Sequence, residues 1–180
     1  MDLVDLIAEK RFIGQEFLTW LWFKSEERGG TVYLPGEGDI QLVFEKHMLL
    51  ESGEGESFEK LICRGLQTEL QEARTGLQMG KKLEQARIHL VRGDYEWHFT
   101  LSAAMLEFRN IKVPKTMAPS EEGSGPEAVE AKILERASMV EEAAWTINVL
   151  FRMYLQTRIG PGWPEELARV RQWVQKGATN

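Results

Sequence analysis

A single cysteine among 180 residues, Cys63, excludes an intrachain disulfide and a cysteine-rich zinc site, and fits a reducing compartment. Long apolar runs are missing as well. The densest, Phe17 to Phe23, is broken by Thr19 and flanked by Glu16 and Lys24, whereas a membrane span needs about 20 consecutive apolar residues. No membrane span is expected. The opening MDLVDLIAEKRF has neither the basic start nor the apolar middle of a secretory signal, so the expected location is the cytoplasm. Phosphate-binding loops, dinucleotide fingerprints, zinc-protease helices and nucleophile elbows are all lacking. With no convergent acid, base, nucleophile or metal set, binding ranks ahead of enzyme action, and no cofactor is expected.

Basic excess is lacking overall, since the net charge is -6. The charge is uneven, however. Residues 1–59 hold 5 Lys+Arg against 13 Asp+Glu, residues 60–115 hold 10 against 6, and residues 116–180 hold 7 against 9. A polyanion would be met by the middle third, because counterion release follows the local density of Lys and Arg.

What is abundant is patterned apolar sequence, enough at 43% for one well-covered core. Phe12, Ile13, Phe17, Trp20, Leu21 and Phe23 fall on one arc of a helix, and Leu18 with Trp22 forms a second pair on the far side. Such a helix needs two covers: a sheet on one side, and on the other a C-terminal helix of the same chain or a partner subunit. TVYLP, DIQLVFEKHMLL and FEKLICRG read as strands separated by the Pro35-Gly36 turn and by SGEGES. A short helix follows from Thr68 to a stop at Gly80. ARIHLVRGDYEWHFTLS is a hairpin whose Gly93-Asp94 loop suits a type II′ turn. AMLEFRNIKV continues as a strand with Leu106 and Phe108 inward and an irregularity near Asn110. Residues 116–126 have linker composition. Beyond them Ile133, Ala137, Val140, Ala144, Ile147, Phe151 and Tyr154 recur at alternating four- and three-residue steps on a long helix, and Pro164 opens a last short one. The expected class is α+β: an antiparallel meander of about five to six strands in a core spanning 1–115, covered by an N-terminal aromatic helix and a long C-terminal helix within 127–180.

Among candidate sites, the glycines of PGEGD are explained as a turn, since no lysine and helix follow. Arg92-Gly93-Asp94 is likewise a turn. The two-residue loop sets His89 directly across from His98. Metal sites usually take three or four ligands, and the neighbours Arg87, Glu96 and Thr100 supply at most one carboxylate, so a solvated or ligand-facing surface is expected there and no metal. The cations Arg64, Arg74, Lys81, Lys82, Arg87, Arg109 and Lys112 form the candidate phosphate-tracking set. Leu18, Trp22, Ile147, Phe151 and Tyr154 are the candidate interface with a second subunit.

FLTWLWFKSE, CRGLQTELQEARTGLQMGKKLEQARIHL, the aromatic hairpin and ASMVEEAAWTINVLFRMYLQTRIG together resemble, in their order, the C-terminal half of the recombination-associated protein RdgC family. That resemblance implies a nucleoid-associated, homodimeric protein that binds DNA with little sequence preference and restrains a recombinase. It also implies that Lys81 and its neighbour Lys82 face the DNA. The family's N-terminal half has no counterpart here, which puts a closed ring in doubt. The competing expectation is a protein–protein interaction or regulatory module that does not touch DNA.

Overall fold

The computed structural model describes residues 3–52, 59–64, 68–115 and 125–176; within these ranges the side chains of residues 3–11, Arg64, Thr68 and Glu69 are not described. Four helices and six strands follow one another as α1 (Leu3–Glu27), β1 (Thr31–Leu34), β2 (Gly38–Ser52), β3 (Glu59–Arg64), α2 (Thr68–Gln78), β4 (Lys82–Arg92), β5 (Tyr95–Ser102), β6 (Glu107–Lys112), α3 (Pro126–Ile159) and α4 (Trp163–Lys176). The strands form one antiparallel sheet in the order β1-β2-β4-β5-β6, with β3 also on β2. β4 lines β2 from Gln41↔Val91 to Glu51↔Lys82. β1 and β3 therefore share the other edge of β2, one opposite Gln41 and the other opposite Met48. This is the expected α+β meander.

The period-two alternation of the strands divides the sheet into two faces. Ile40, Leu42 and Phe44 of β2, Ile88 and Leu90 of β4, and Trp97, Phe99 and Leu101 of β5 are buried. Most of the residues between them, among them Val43, Glu45, Arg87, His89 and His98, remain half or fully exposed, Thr100 being buried. One face is thus core and the other is open. In the β4–β5 hairpin Gly93 takes a φ of 59°, as the first position of a type II′ loop requires. Asn110 has a φ of 52° beside the irregularity between β5 and β6, where the sequence predicts one. Leu106 departs from expectation: with a φ of 53° it lies in the turn before β6, not in the strand.

α1 lies on the core face, against β4 and β2. Its outer side is roofed by α3 and α4 of the same chain. Phe17 meets Phe151 edge-on at 5.1 Å, Trp20 meets Tyr154 at 5.6 Å, and Trp22 packs between Phe44 at 6.1 Å and Trp173 at 5.0 Å. A helix apolar all round is a buried helix, and here both covers come from one chain. The expected subunit interface is corrected accordingly: Leu18, Trp22, Ile147 and Tyr154 are core residues, and Phe151 is half-buried against Phe17. The first four are filled positions and have no area left for a partner.

Polar tips in this core find partners, as burial demands. Trp20 Nε1 donates to Glu166 Oε1 at 3.0 Å, Trp173 Nε1 to Glu26 Oε2 at 3.0 Å, and Trp97 Nε1 to the Met139 carbonyl at 2.9 Å. Tyr154 Oη donates to Glu16 Oε1 at 2.8 Å, and burial, with that carboxylate beside it, pushes the phenol well above its usual range. Glu16 also accepts from Arg158 Nε at 2.7 Å. These bonds tie α3 to α1 and β5, and α4 to α1. Of the expected linker, 116–126, residues 116–124 lie outside the described residues, and Pro126, expected to close it, is the first residue of α3. Proline suits that position because its missing N–H has no partner to lose there.

Candidate functional site on the open sheet face

Of the cations predicted to track phosphate, Arg87, Arg109 and Lys112 share the open face of β4, β5 and β6 by register, while Arg74 and Lys81 lie elsewhere, and most are paired with acids. Arg74, on α2, points into the α1–α4 junction, where it pairs with Glu26 and stacks 4.7 Å from the Trp173 ring. Burial there pulls its guanidinium below the usual arginine range. Lys81 Nζ sits 2.5 Å from Glu59 Oε2 and 3.3 Å from Ser52 Oγ, and its ammonium holds the Glu59 carboxyl below the ordinary carboxylate range. Arg87 Nε bonds Glu45 Oε2 at 2.6 Å, and Arg109 grips Glu107 Oε2 through Nε at 3.2 Å and Nη2 at 2.9 Å. Lys82 lies 5.7 Å from the Phe12 ring, and Lys112 lines a shallow hollow of about 520 Å³ with Glu96 and His98. Neither makes an ion pair among the described residues. The backbone of Arg64 pairs with His47, and its side chain is outside the described residues.

Arg92 is engaged in the same way, by Glu142 Oε2 at 2.9 Å and Thr146 Oγ1 at 3.3 Å. The Arg92-Gly93-Asp94 turn is thereby fastened to α3.

Where the sequence leads one to expect a solvated or ligand-facing surface, four side chains from three adjacent strands meet. His89 and His98 are register partners, as the loop length predicts, and their rings stack 4.3 Å apart with an interplanar angle of 7°. Glu96 Oε1 lies 2.8 Å from His89 Nε2 and 3.0 Å from His98 Nε2. Glu45 Oε1 lies 2.6 Å from His98 Nδ1. Glu45 reaches over β4 from β2, and Arg87 fixes its other oxygen. His98 thus faces carboxylates with both ring nitrogens. The hydrogen bond from His98, and behind it the charge of His89, keep Glu96 below the ordinary carboxylate range. His89 Nε2 is shielded from solvent, yet it is out of line for a hydrogen bond to the oxygen 2.8 Å away.

Glu45 is the member that sequence reasoning misses. Val43 pairs with His89, which would set Glu45 two residues along the same face. Using that signal requires knowing that β2 and β4 are neighbours, although β3 and α2 intervene. One candidate ligand atom from each of Glu45, His89 and His98 lies within 4.8 Å of the others, the spread a single cation can gather.

No protein-family model matches the chain, and no curated protein or solved structure matches it either. The likeness to the RdgC family therefore stands on the order of its sequence segments alone. No helix among the described residues is long and apolar enough to cross a membrane.

Proposed function

We propose that this chain is a protein–protein interaction module that pairs with a second copy of itself through the N-terminal half of α3. The observation that carries this reading is the division of the α3 seam. Its C-terminal members Ile147 and Tyr154 are buried by the chain's own core, whereas at the other end Ile133 and the neighbouring Leu134 are 61% and 63% exposed. Val129 is exposed along the same half, and Trp145 just beyond it. A seam at four- and three-residue steps is what a two-helix pair buries. Small residues at Ala137 and Ala144 let a second helix approach closely. Arg136 and Glu141 flank the seam on opposite sides, five residues apart. In a parallel pair, Arg136 of each copy comes opposite Glu141 of the other, a charge match that favours a second copy over an unrelated helix.

Sequence-independent DNA binding, with a recombinase as further partner and the nucleoid as location, has less support. Surface ion pairs are individually weak, so phosphate could displace a carboxylate from Arg87 or Arg109. The displaced carboxylate would nonetheless stay beside the phosphate and cancel the field that drives counterion release.

Sedimentation equilibrium checks the proposal. Wild-type protein is expected to show a concentration-dependent monomer–dimer equilibrium, and Ile133→Glu to remain monomeric. Because Ile133 is exposed, its unfolding midpoint should shift by no more than about 0.5 kcal/mol of stability. A wild-type monomer at every concentration, or a dimer untouched by Ile133→Glu, overturns the reading. In a parallel salt titration, duplex and single-stranded DNA should show no binding at low salt. Binding that weakens steeply with salt, and weakens again in Lys81→Glu/Lys82→Glu, would restore the DNA reading.

A further inference from the structure

We propose that His89 and His98, together with the carboxylates of Glu45 and Glu96, form a binding site for a divalent transition-metal ion of the zinc type on the open face of the sheet. This site is independent of the α3 seam.

The donor set is two imidazoles and two carboxylates. Neutral imidazole selects for zinc and its neighbours, whereas calcium and magnesium prefer oxygen ligands alone. All four side chains rise from paired strands, with His89 on β4 opposite His98 on β5 and Glu45 on β2 beyond them. Strand backbones hold ligand positions better than loops do. Glu45 is oriented before any ion arrives, because Arg87 occupies Oε2 and leaves Oε1 turned to His98. A carboxylate on one imidazole nitrogen sets the other nitrogen for a metal. Here His98 Nδ1 faces Glu45, and His98 Nε2 faces Glu96 on the side where His89 Nε2 also lies.

Two details separate this cluster from a plain ion-pair network. His89 Nε2 has neither solvent nor a hydrogen bond while pressed within 2.8 Å of a carboxylate oxygen. A proton bridges two such atoms poorly when they are misaligned, but a cation between them would satisfy both. Glu96 also forms no ion pair with a Lys or Arg among the described residues, although Lys112 and Lys115 line the hollow beside it, and Glu45 pairs with Arg87. The rings are parallel, so gripping one ion requires them to tilt towards each other about their Cβ–Cγ bonds, a small motion on a half-exposed surface. Glu45 then serves either as third ligand or as the group that holds His98, with Glu96 completing the set.

The experiment is zinc binding to the chelator-stripped full chain, followed by calorimetry and by the metal retained after desalting. Wild-type protein is expected to bind one Zn²⁺ per chain and to melt higher with it, and Mg²⁺ should do neither. His89→Gln/His98→Gln should abolish retention, and Glu45→Gln should weaken binding by about 10- to 100-fold. His47→Gln, outside the cluster, should change nothing. Each variant alters a half-exposed side chain, and its circular dichroism should match the wild type. No zinc binding by wild-type protein, equal binding by the double histidine variant, or equal binding of Mg²⁺ would each overturn the assignment.

Discussion

Trp22→Ala is expected to lower the free energy of unfolding by about 3–5 kcal/mol, the range for emptying a buried aromatic position. Trp22 is 1% exposed and is wedged between Phe44 of the sheet and Trp173 of α4, so its removal opens a cavity at the point where sheet, α1 and α4 meet. Two polar contacts go with it. Trp22 Nε1 donates to Glu26 Oε1 at 2.7 Å, and the Arg74 guanidinium lies 5.8 Å from its ring. Glu26 keeps Arg74 and Trp173 as partners, so the lost packing should dominate over the lost hydrogen bond. Urea unfolding measures the change, and Trp22→Phe, which preserves most of the volume, should cost clearly less. The dependence on protein concentration carries a second test. A residue at a subunit contact would change the dimer constant and leave monomer stability nearly intact. A Trp22→Ala loss below about 1 kcal/mol would contradict the placement of this ring in the core.

Trp22 also marks how far the sequence carries. Its spacing from Leu18 reveals that α1 has two apolar faces, which is a local property of a helix. Whether the second cover is α4 or another subunit depends on where the chain returns more than a hundred residues later, and no local pattern records that. The β4–β5 hairpin is legible to the residue, down to the pairing of His89 with His98, because a two-residue loop fixes the register. The same histidines joined by Glu45 are not legible. Glu45 arrives through a β2–β4 ladder that shifts register between Phe44 and Met48, and whose two strands are separated in sequence by β3 and α2. The pairing of the basic set with acids is hidden for a related reason. Counting charges by segment places ten cations in the middle third, but Arg74 is neutralised by Glu26, Arg87 by Glu45 and Arg92 by Glu142, all acids from outside that third. Periodicity reports what one element presents, whereas electrostatics depends on what the fold brings to it.

Gly14→Ala reverses a prediction made from helix propensity. In the interior of α1, alanine should stabilise by about 1 kcal/mol relative to glycine. The fold overrides this gain because Gly14 lies against the turn that follows β5. A Cβ there would fall onto the Ala103 carbonyl oxygen and 2.8 Å from its carbonyl carbon. The obstacle is backbone, and Ala103 N is itself bonded to the Glu84 carbonyl at 2.8 Å, so the turn cannot retreat without breaking a link to β4. Overpacking of this kind typically costs about 1–3 kcal/mol, and because the obstacle is backbone the cost should fall near the upper end, leaving a net loss of about 2 kcal/mol after the propensity gain. Gly76 on α2 supplies the contrast. Its added Cβ would meet the far ends of Leu61 and Leu50 at 2.8 and 3.1 Å, side chains that can shift. Gly76→Ala should therefore change stability by less than about 1 kcal/mol in either direction, with the propensity gain offsetting the crowding. Thermal and urea unfolding of the two variants side by side measure the difference. If Gly14→Ala proves as stable as the wild type, α1 does not pack onto the β5–β6 turn as closely as the contact with Ala103 requires.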